Sequence, residues 1–369
     1  MPLRVAIDAT PMLGARTGVG TFVAGALPAL AADDKLAITA YGLTWQGRRK
    51  LAELLPPAIA LASAPMVAGA LLRLWARANA PAVEWWTGSV DIVHGTNFVV
   101  PPARRAVEVV TVHDLTAVRY PQMCSPVSLA YPNLVRRAIG RGAWVHTPSQ
   151  FVAGEVVELL GADPDRVRAI PHGAPAVLRE AQNGLEQDPY ILSLATAEPR
   201  KDLPGLVRAF DAVAASRPRV RLLLVGPKGW AEGDLASAIA AARHRDRISR
   251  LGYLDDARRA AVLAGAVALA YPSRYEGFGL PPLEAMAAGV PVVTTAAGAV
   301  PEVVGDAATV VAPGDTDALA DALAAVVDQN PAARAAAAAR GQARAALFSW
   351  TETARQLGEL YRDAALDRS

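Results

Sequence analysis

The chain has 369 residues, 52% of them apolar and 20% charged, which suits two or three packed domains and excludes a globally disordered chain. Thirty-seven basic against 35 acidic side chains leave a formal charge of +2, so the broad basic surface of a nucleic-acid binder is excluded and no nucleic-acid partner is expected. A single cysteine, Cys124, excludes an internal disulfide framework and a cysteine-built zinc cluster.

The first apolar run, 3–9 (LRVAIDA), is short and β-branched and reads as a buried parallel strand; Asp8 within it argues against a signal peptide. A glycine-containing loop leads into a helix over 19–32, and 36–41 (LAITAY) reads as the next strand. Residues 54–72 form the longest uncharged run, but Pro56, Pro57 and Pro65 interrupt it and alanine contributes little transfer energy, so it does not read as a membrane span. Directly after it, Leu71, Leu72, Leu74 and Trp75 interleave with Arg73 and Arg77, and Trp85 and Trp86 follow. This segment, 71–86, is the candidate for peripheral contact with a lipid surface; the plainer reading is a helix packed on its own domain. The expected location is therefore cytoplasmic, with the inner face of the cell membrane as the place of any docking. Further strands are read at 92–93, 107–112, 144–147 and 167–170. A helix over 149–160 has Ser149 as its N-cap and Gly161 at its stop.

Periodicity lapses over 174–189, and the alternation then restarts with strands at 190–195, 220–225, 267–271 and 290–294. An alanine-rich stretch over 331–346 reads as a surface helix, and a last helix covers 351–365. The expected organisation is an N-terminal domain at 1–173, a linker at 174–189, a second domain at 190–349, and a C-terminal helix at 350–369 packing back toward the first domain. Strands alternating with helices define an α/β chain of two doubly wound, Rossmann-like domains. Ligands of such sheets bind at the carboxyl ends of the strands, so the cleft between the domains is the expected site.

Several motifs fall at those strand ends. The loop after the first strand carries Gly14, Gly18 and Gly20, which let backbone amides approach a phosphate, yet Val23 stands where a dinucleotide fingerprint wants a third glycine. No GxxxxGK[ST] loop is present. His113 and Asp114 follow the run 107–112, where an imidazole is placed to donate a hydrogen bond to a substrate oxygen. His94 and His172 also precede glycines after apolar runs, whereas His146 and His244 carry no signal. Arg200 and Lys201 follow the strand at 190–195 and suit a diphosphate; a solvated loop is the alternative. The most specific stretch is 273–293: Glu276 and Glu284 are eight apart, Gly277, Phe278 and Gly279 lie between them, and a short helix follows from about Pro282. Glycine amides and a helix N-terminus form an anion seat flanked by two carboxylates suited to sugar hydroxyls. Asp163-Pro164-Asp165 and Asp315-Thr316-Asp317 match the DxD pattern of metal-dependent sugar transferases, but each stands where aspartate caps a turn or helix, so no metal site is assigned.

Together these segments resemble the GT-B glycosyltransferases of family 4, over nearly the whole chain. The resemblance rests on IDATPMLGARTGVGTF, VDIVHGTNFVVPP, VVTVHDLTAVRYP, RAIPHG, EPRKD, VGPKGW, LGYL, YPSRYEGFGLPPLEAMAAGVPVV and AGAVPEVVGDAATVVAPGD. The wording is similar to bacterial members that transfer mannose or a related hexose in cell-surface polysaccharide or glycolipid synthesis. The resemblance implies two Rossmann-like domains, a nucleotide-sugar donor (GDP-mannose first), a glycan or lipid-linked acceptor, retention of anomeric configuration and no cofactor or metal. It places Glu276 on donor-sugar hydroxyls, Glu284 on the ribose, and amides near Gly279 and Leu280 on the diphosphate and sugar. Arg200 and Lys201 would neutralise the leaving diphosphate, Gly18 would approach it, and His113 would sit near the transferring sugar. Gly252, Tyr253 and Leu254 would lie by the base. The arginine that many members carry shortly before the EPRK position is replaced by Ala195-Thr196-Ala197, so Arg200 takes that charge alone or Thr196 hydrogen-bonds in its place. A nucleotide-sugar epimerase of the same architecture and a non-catalytic sugar-nucleotide-binding subunit are the competing readings.

Overall fold

A computed structural model of the chain describes residues 1–14, 18–175 and 188–367. It divides into two compact units: Met1–Gly173 with Phe348–Ser369, and Ala174–Leu347. Most of the stretch read as a linker, 176–187, and residues 15–17 of the first glycine loop lie outside the described residues.

The first unit is built on seven strands: β1 (Leu3–Asp8), β2 (Leu36–Tyr41), β3 (Ala60–Leu61), β4 (Ile92–Gly95), β5 (Val107–Thr111), β6 (Trp144–Thr147) and β7 (Val167–Ala169). They form one parallel sheet in the order β3-β2-β1-β4-β5-β6-β7. Side chains alternate across a strand, and here the alternation sorts two cores. Val5, Ile7, Ile92, Val109 and Trp144 face one side, while Ala6, Val93, Val110 and Val145 face the other.

The helix Gly18–Ala31 covers the first of these faces with Phe22, Val23, Ala26, Leu27 and Leu30. The same face is completed by the C-terminal helix, Trp350–Leu366, through Leu357, Leu360, Tyr361 and Ala364. Glycine is needed where Trp350 docks: a Cβ on Gly25 would lie 2.2 Å from its ring, and one on Gly173 would lie 2.4 Å from its backbone nitrogen. The helix Gln150–Leu160 begins at Ser149, whose hydroxyl accepts from the Val152 amide, and ends at Gly161 in the left-handed conformation.

The second unit holds β8 (Tyr190–Leu194), β9 (Arg221–Val225), β10 (Ile248–Gly252), β11 (Ala268–Tyr271), β12 (Val292–Thr295) and β13 (Thr309–Val311), all parallel, in the order β10-β9-β8-β11-β12-β13. Strand order reverses between β1 and β4 in the first sheet and between β8 and β11 in the second, and such switch points open a crevice at the carboxyl ends. The alanine-rich helix Pro331–Ala345 is not a bland surface element. Its Ala337, Gly341 and Ala345 are buried, and a Cβ on Gly341 would meet the backbone of Met286 at 3.3 Å, so it backs the helix Leu280–Ala287.

The helix Ala68–Trp75 turns Leu71 and Trp75 inward because they stand four residues apart on one face, and Leu72 and Trp86 pack partly on the same core. Of the segment 71–86 this leaves Leu74 (45% exposed) and Trp85 (66%) as apolar side chains open to solvent. Among the described residues no helix is long and apolar enough to cross a membrane.

Candidate active site

The switch point of the second sheet gathers six of the sequence-predicted residues. A short 3-10 turn after β8, Pro199–Lys201, carries Arg200 and Lys201. The loop after β11 carries Glu276, and Gly277, Phe278 and Gly279 lead from it into the helix Leu280–Ala287. Arg200 donates to Glu276 Oε2 at 2.8 Å and to Glu198 at 2.9 Å; Lys201 Nζ reaches Glu276 Oε1 at 2.5 Å. The Lys201 ammonium also donates to the Tyr271 hydroxyl at 2.9 Å and lies 4.9 Å from the centre of that ring. Both oxygens of Glu276 are thus engaged by cations, and Glu276 and Lys201 are buried at 6% and 8% exposure.

Electrostatics follows from this packing. Burial by itself would raise the Glu276 carboxyl, but the charges of Arg200 and Lys201 outweigh it and hold it down at about 2. Burial and the adjacent Arg200 push Lys201 below the ordinary lysine value, against the pull of Glu276 and Glu198. The Glu276 carboxylate is therefore ionised at neutral pH and held between two largely buried cationic side chains.

Its backbone is fixed as tightly. Asp202 adopts a left-handed conformation (φ 45°) and caps the helix Leu203–Ser216 by accepting from the Gly205 amide at 3.2 Å. Arg274 pairs with the Asp202 carboxylate at 3.0 Å, and the Arg274 amide donates to the Arg200 carbonyl at 2.7 Å, which ties the two loops together. Gly298 (φ 57°) lies so close that a Cβ there would stand 2.2 Å from the Glu276 carbonyl. Gly279 at φ 116° is the N-cap of the helix Leu280–Ala287, where a side chain would be strained.

Glu284, one turn further along that helix, is buried and pairs with Arg259. Gly252, Tyr253 and Leu254 end β10 at the sheet edge, two strands away from β8; Tyr253 is half exposed. Sequence reasoning found Arg200, Lys201, Glu276 and Glu284 but not their partners Tyr271, Glu198 and Arg259, nor Gly298. Only the spacing of glycines after a strand carried a local signal. Both DxD matches are caps: Asp163 accepts from the Asp165 amide and Asp315 from the Ala318 amide. Among the described residues no group of three histidine, cysteine, aspartate or glutamate side chains is arranged to hold a metal ion.

Gly18 and His113 belong to the first unit. Gly18 opens the helix Gly18–Ala31, and His113 follows β5 by two residues. His113 Nε2 lies 2.8 Å from the Thr96 carbonyl, which only accepts, so that nitrogen carries the hydrogen. Burial holds the ring below the ordinary histidine value, hence neutral, and Nδ1 is an acceptor. The one N–H of the neutral ring is thus spent on the Thr96 carbonyl. Phe98, in a left-handed conformation (φ 60°), sets its ring edge against His113 at 5.7 Å.

His146, silent in the sequence, lies with His94 and His172 in a buried group around Phe22. One hydrogen-bond direction satisfies the chain of contacts. His146 Nε2 donates to the Ile170 carbonyl (3.1 Å), so its Nδ1 accepts from the Thr111 hydroxyl (2.9 Å). Thr111 then accepts from His94 Nε2 (2.7 Å), and His94 Nδ1 accepts from the Tyr361 hydroxyl (2.7 Å). The order requires both imidazoles to be neutral, as burial makes them.

Two Rossmann-like units, the second with an ionised Glu–Arg–Lys cluster and a glycine-led helix at its switch point, are the GT-B architecture. Solved structures agree on the fold: sucrose-phosphate synthase from Thermosynechococcus elongatus superposes with a TM-score of 0.73 at 22% identity, covering 98% of both chains. WaaG, a glycosyltransferase involved in lipopolysaccharide biosynthesis, gives 0.72 at 18% identity, covering 96% of this chain and 98% of that one. Residues 17–176 match the model of Glycosyltransferase Family 4, and residues 177–344 that of Glycosyl transferases group 1. The O-antigen chain mannosyltransferase B of Escherichia coli is 33% identical over 283 residues, 73% of this chain and 74% of that protein. The MMP alpha-(1->4)-mannosyltransferase of Mycolicibacterium hassiacum is 33% identical over 59% of this chain and 53% of its own length. The chain belongs to this glycosyltransferase family and is a glycosyltransferase.

Proposed function

We propose that the enzyme moves a hexose, mannose first, from a nucleoside diphosphate sugar to a glycan or lipid-linked acceptor hydroxyl with retention at the anomeric carbon. The observation that carries this reading is Glu276 held between Arg200 and Lys201 at the mouth of the glycine-led helix. A diphosphate arriving there meets two cations that are already ordered and desolvated, and helix amides that add partial positive charge. The bond from the anomeric carbon to the leaving phosphate breaks, and a bond to the acceptor oxygen forms on the same face. The acceptor proton passes to the leaving phosphate oxygen. Negative charge grows on that phosphate, where Arg200 and Lys201 stabilise it, so the reading needs no divalent ion. Glu276 takes donor-sugar hydroxyls, Glu284 the ribose, and Gly252, Tyr253 and Leu254 the base. Gly18 and His113 contribute from the first unit, His113 as an acceptor for a sugar hydroxyl. GDP-mannose is favoured over UDP- and dTDP-sugars by the mannosyltransferase relatives.

The test is turnover of GDP-, UDP- and dTDP-hexoses with and without EDTA, with the anomer of the product read by NMR. Transfer that survives EDTA and yields the donor's anomeric configuration supports the reading. An isomerised donor with no acceptor consumed would support the epimerase reading instead.

Peripheral docking on an anionic lipid surface belongs to the same proposal. Val67, Leu74 and Trp85 are exposed near Arg73 and Arg77, which are also exposed. Co-sedimentation with phosphatidylglycerol vesicles, lost in a Leu74→Ala/Trp85→Ala variant, is the expected result; no binding by the wild type removes it.

A further inference from the structure

We infer that Arg259 is a positioning residue for Glu284, and that the pair makes the donor site select ribonucleoside over 2′-deoxyribonucleoside diphosphates. The inference rests on the reading of Glu284 as the ribose ligand. Arg258 and Arg259 are adjacent on the helix Asp256–Ala264 and meet different fates. The Arg258 side chain stays 74% exposed beside Asp255, whereas Arg259 turns inward onto Glu284 Oε2. The helix is set in rotation by its N-cap, where Asp255 accepts from the Arg258 amide at 2.9 Å, and by buried Val262 and Leu263. The Val262 carbonyl also accepts from the Tyr190 hydroxyl of β8 at 2.8 Å, so Arg259 is aimed from a fixed base.

Glu284 needs that partner. It sits between Leu283 and Ala285, both fully buried, on a helix backed by Pro331–Ala345. Burial and Asp256 favour its protonated form and leave the carboxyl above its ordinary value even with Arg259 opposing them, so without Arg259 it would rise further. A carboxyl that stays ionised only accepts hydrogen bonds, which fits a vicinal diol offering two hydroxyl donors. A protonated one loses an acceptor and gains a donor the diol does not call for. Arg259 engages one oxygen, which leaves Oε1 and the remaining lone pair of Oε2 for the sugar. The helix bearing Arg259 also starts directly after 252–254, the segment assigned to the base, so base and ribose ligands share one rigid mount. A 2′-deoxyribose gives such a carboxylate one donor fewer, and a charge-assisted hydrogen bond lost this way costs roughly 10- to 100-fold in affinity.

Titration calorimetry with GDP, 2′-deoxy-GDP, UDP and 2′-deoxy-UDP tests this on the full chain. For the better-binding base, the wild type is expected to prefer the ribonucleotide by roughly 10- to 100-fold. Arg259→Met should shrink that preference to about threefold or less, chiefly by weakening the ribonucleotide, with Arg259→Lys between the two. The ratio is unaffected by a general loss of folded protein, and thermal melts of each variant check the fold directly. If Glu284→Gln erases the preference but Arg259→Met keeps it, the role of Arg259 is overturned while the ribose reading stands. A wild type indifferent to the 2′-hydroxyl overturns both.

Discussion

Acidification should unfold the first unit before the second. His94, His146 and His172 are fully buried and neutral, His94 and His172 held well below the ordinary value by burial and His146 at about 3. Unfolding returns each to its ordinary value of 6.5, so below that pH the unfolded chain binds protons that the folded chain refuses. Stability is therefore complete above about pH 7.5 and falls as pH drops. At pH 5 the unfolded His146 gains about 2 kcal/mol from its proton, and His94, His113 and His172 add losses of the same sign. Asp8 works the other way: burial raises it to about 6, so protonation at pH 5 returns about 1 kcal/mol to the folded state. Glu108 is shifted in the same sense as Asp8. Four buried histidines outweigh the two carboxyls, so a net loss of a few kcal/mol between pH 8 and 5 is expected, a sizeable share of the roughly 5–15 kcal/mol that holds a domain together. Of the seven tryptophans all but Trp230 lie in the first unit, so urea unfolding followed by tryptophan fluorescence reports mainly on that unit. Unfolding free energies that agree within about 1 kcal/mol at pH 8, 6.5 and 5 would refute the reasoning.

Three substitutions probe the remaining contacts. Lys201→Ala should lower kcat/KM by ~100-fold or more, comparable to loss of one oxyanion donor, in steady-state assays with saturating acceptor; near-normal turnover removes Lys201 from the reaction. Gly298→Ala combines a left-handed backbone with a contact on the Glu276 carbonyl and should cost about 2–4 kcal/mol in thermal unfolding while displacing the Arg200–Lys201 partner. Thr111→Val cuts the histidine chain at its centre and should cost about 2–3 kcal/mol, because His94 loses an acceptor and His146 a donor inside the core; a neutral effect by urea titration would show that the hydroxyl is dispensable.

The central strands were legible because each is a near-continuous apolar run, as a sheet covered on both faces demands. The strands missed were β3, β10 and β13, all at sheet edges, where one side is open and residues such as Ser249, Arg250 and Thr309 are tolerated. At the site, glycines and paired glutamates showed themselves by local spacing. Arg259, Tyr271 and Gly298 did not, since each matters through a partner between 22 and 70 positions away in the chain and nothing in its own neighbourhood marks it. His146 was silent for the same reason: its chain of contacts joins positions 94, 111, 146 and 361. In 71–86 the helical period turns Leu71 and Trp75 inward, as the plainer reading of a helix packed on its own domain has it.

The first unit is discontinuous in sequence, leaving at Gly173 and resuming at Phe348. During synthesis this imposes an order. At 5–20 residues per second, the ribosome needs roughly 10–35 s to make the intervening stretch before the last helix exists. For that interval the face holding Phe22 and Leu30 lacks Leu357, Leu360 and Tyr361, and His94 lacks the hydroxyl that fixes its tautomer. The second unit, unbroken from Ala174 to Leu347, has all its residues earlier and meets no such delay. The first sheet with one face only partly covered is thus the species a nascent-chain chaperone would find.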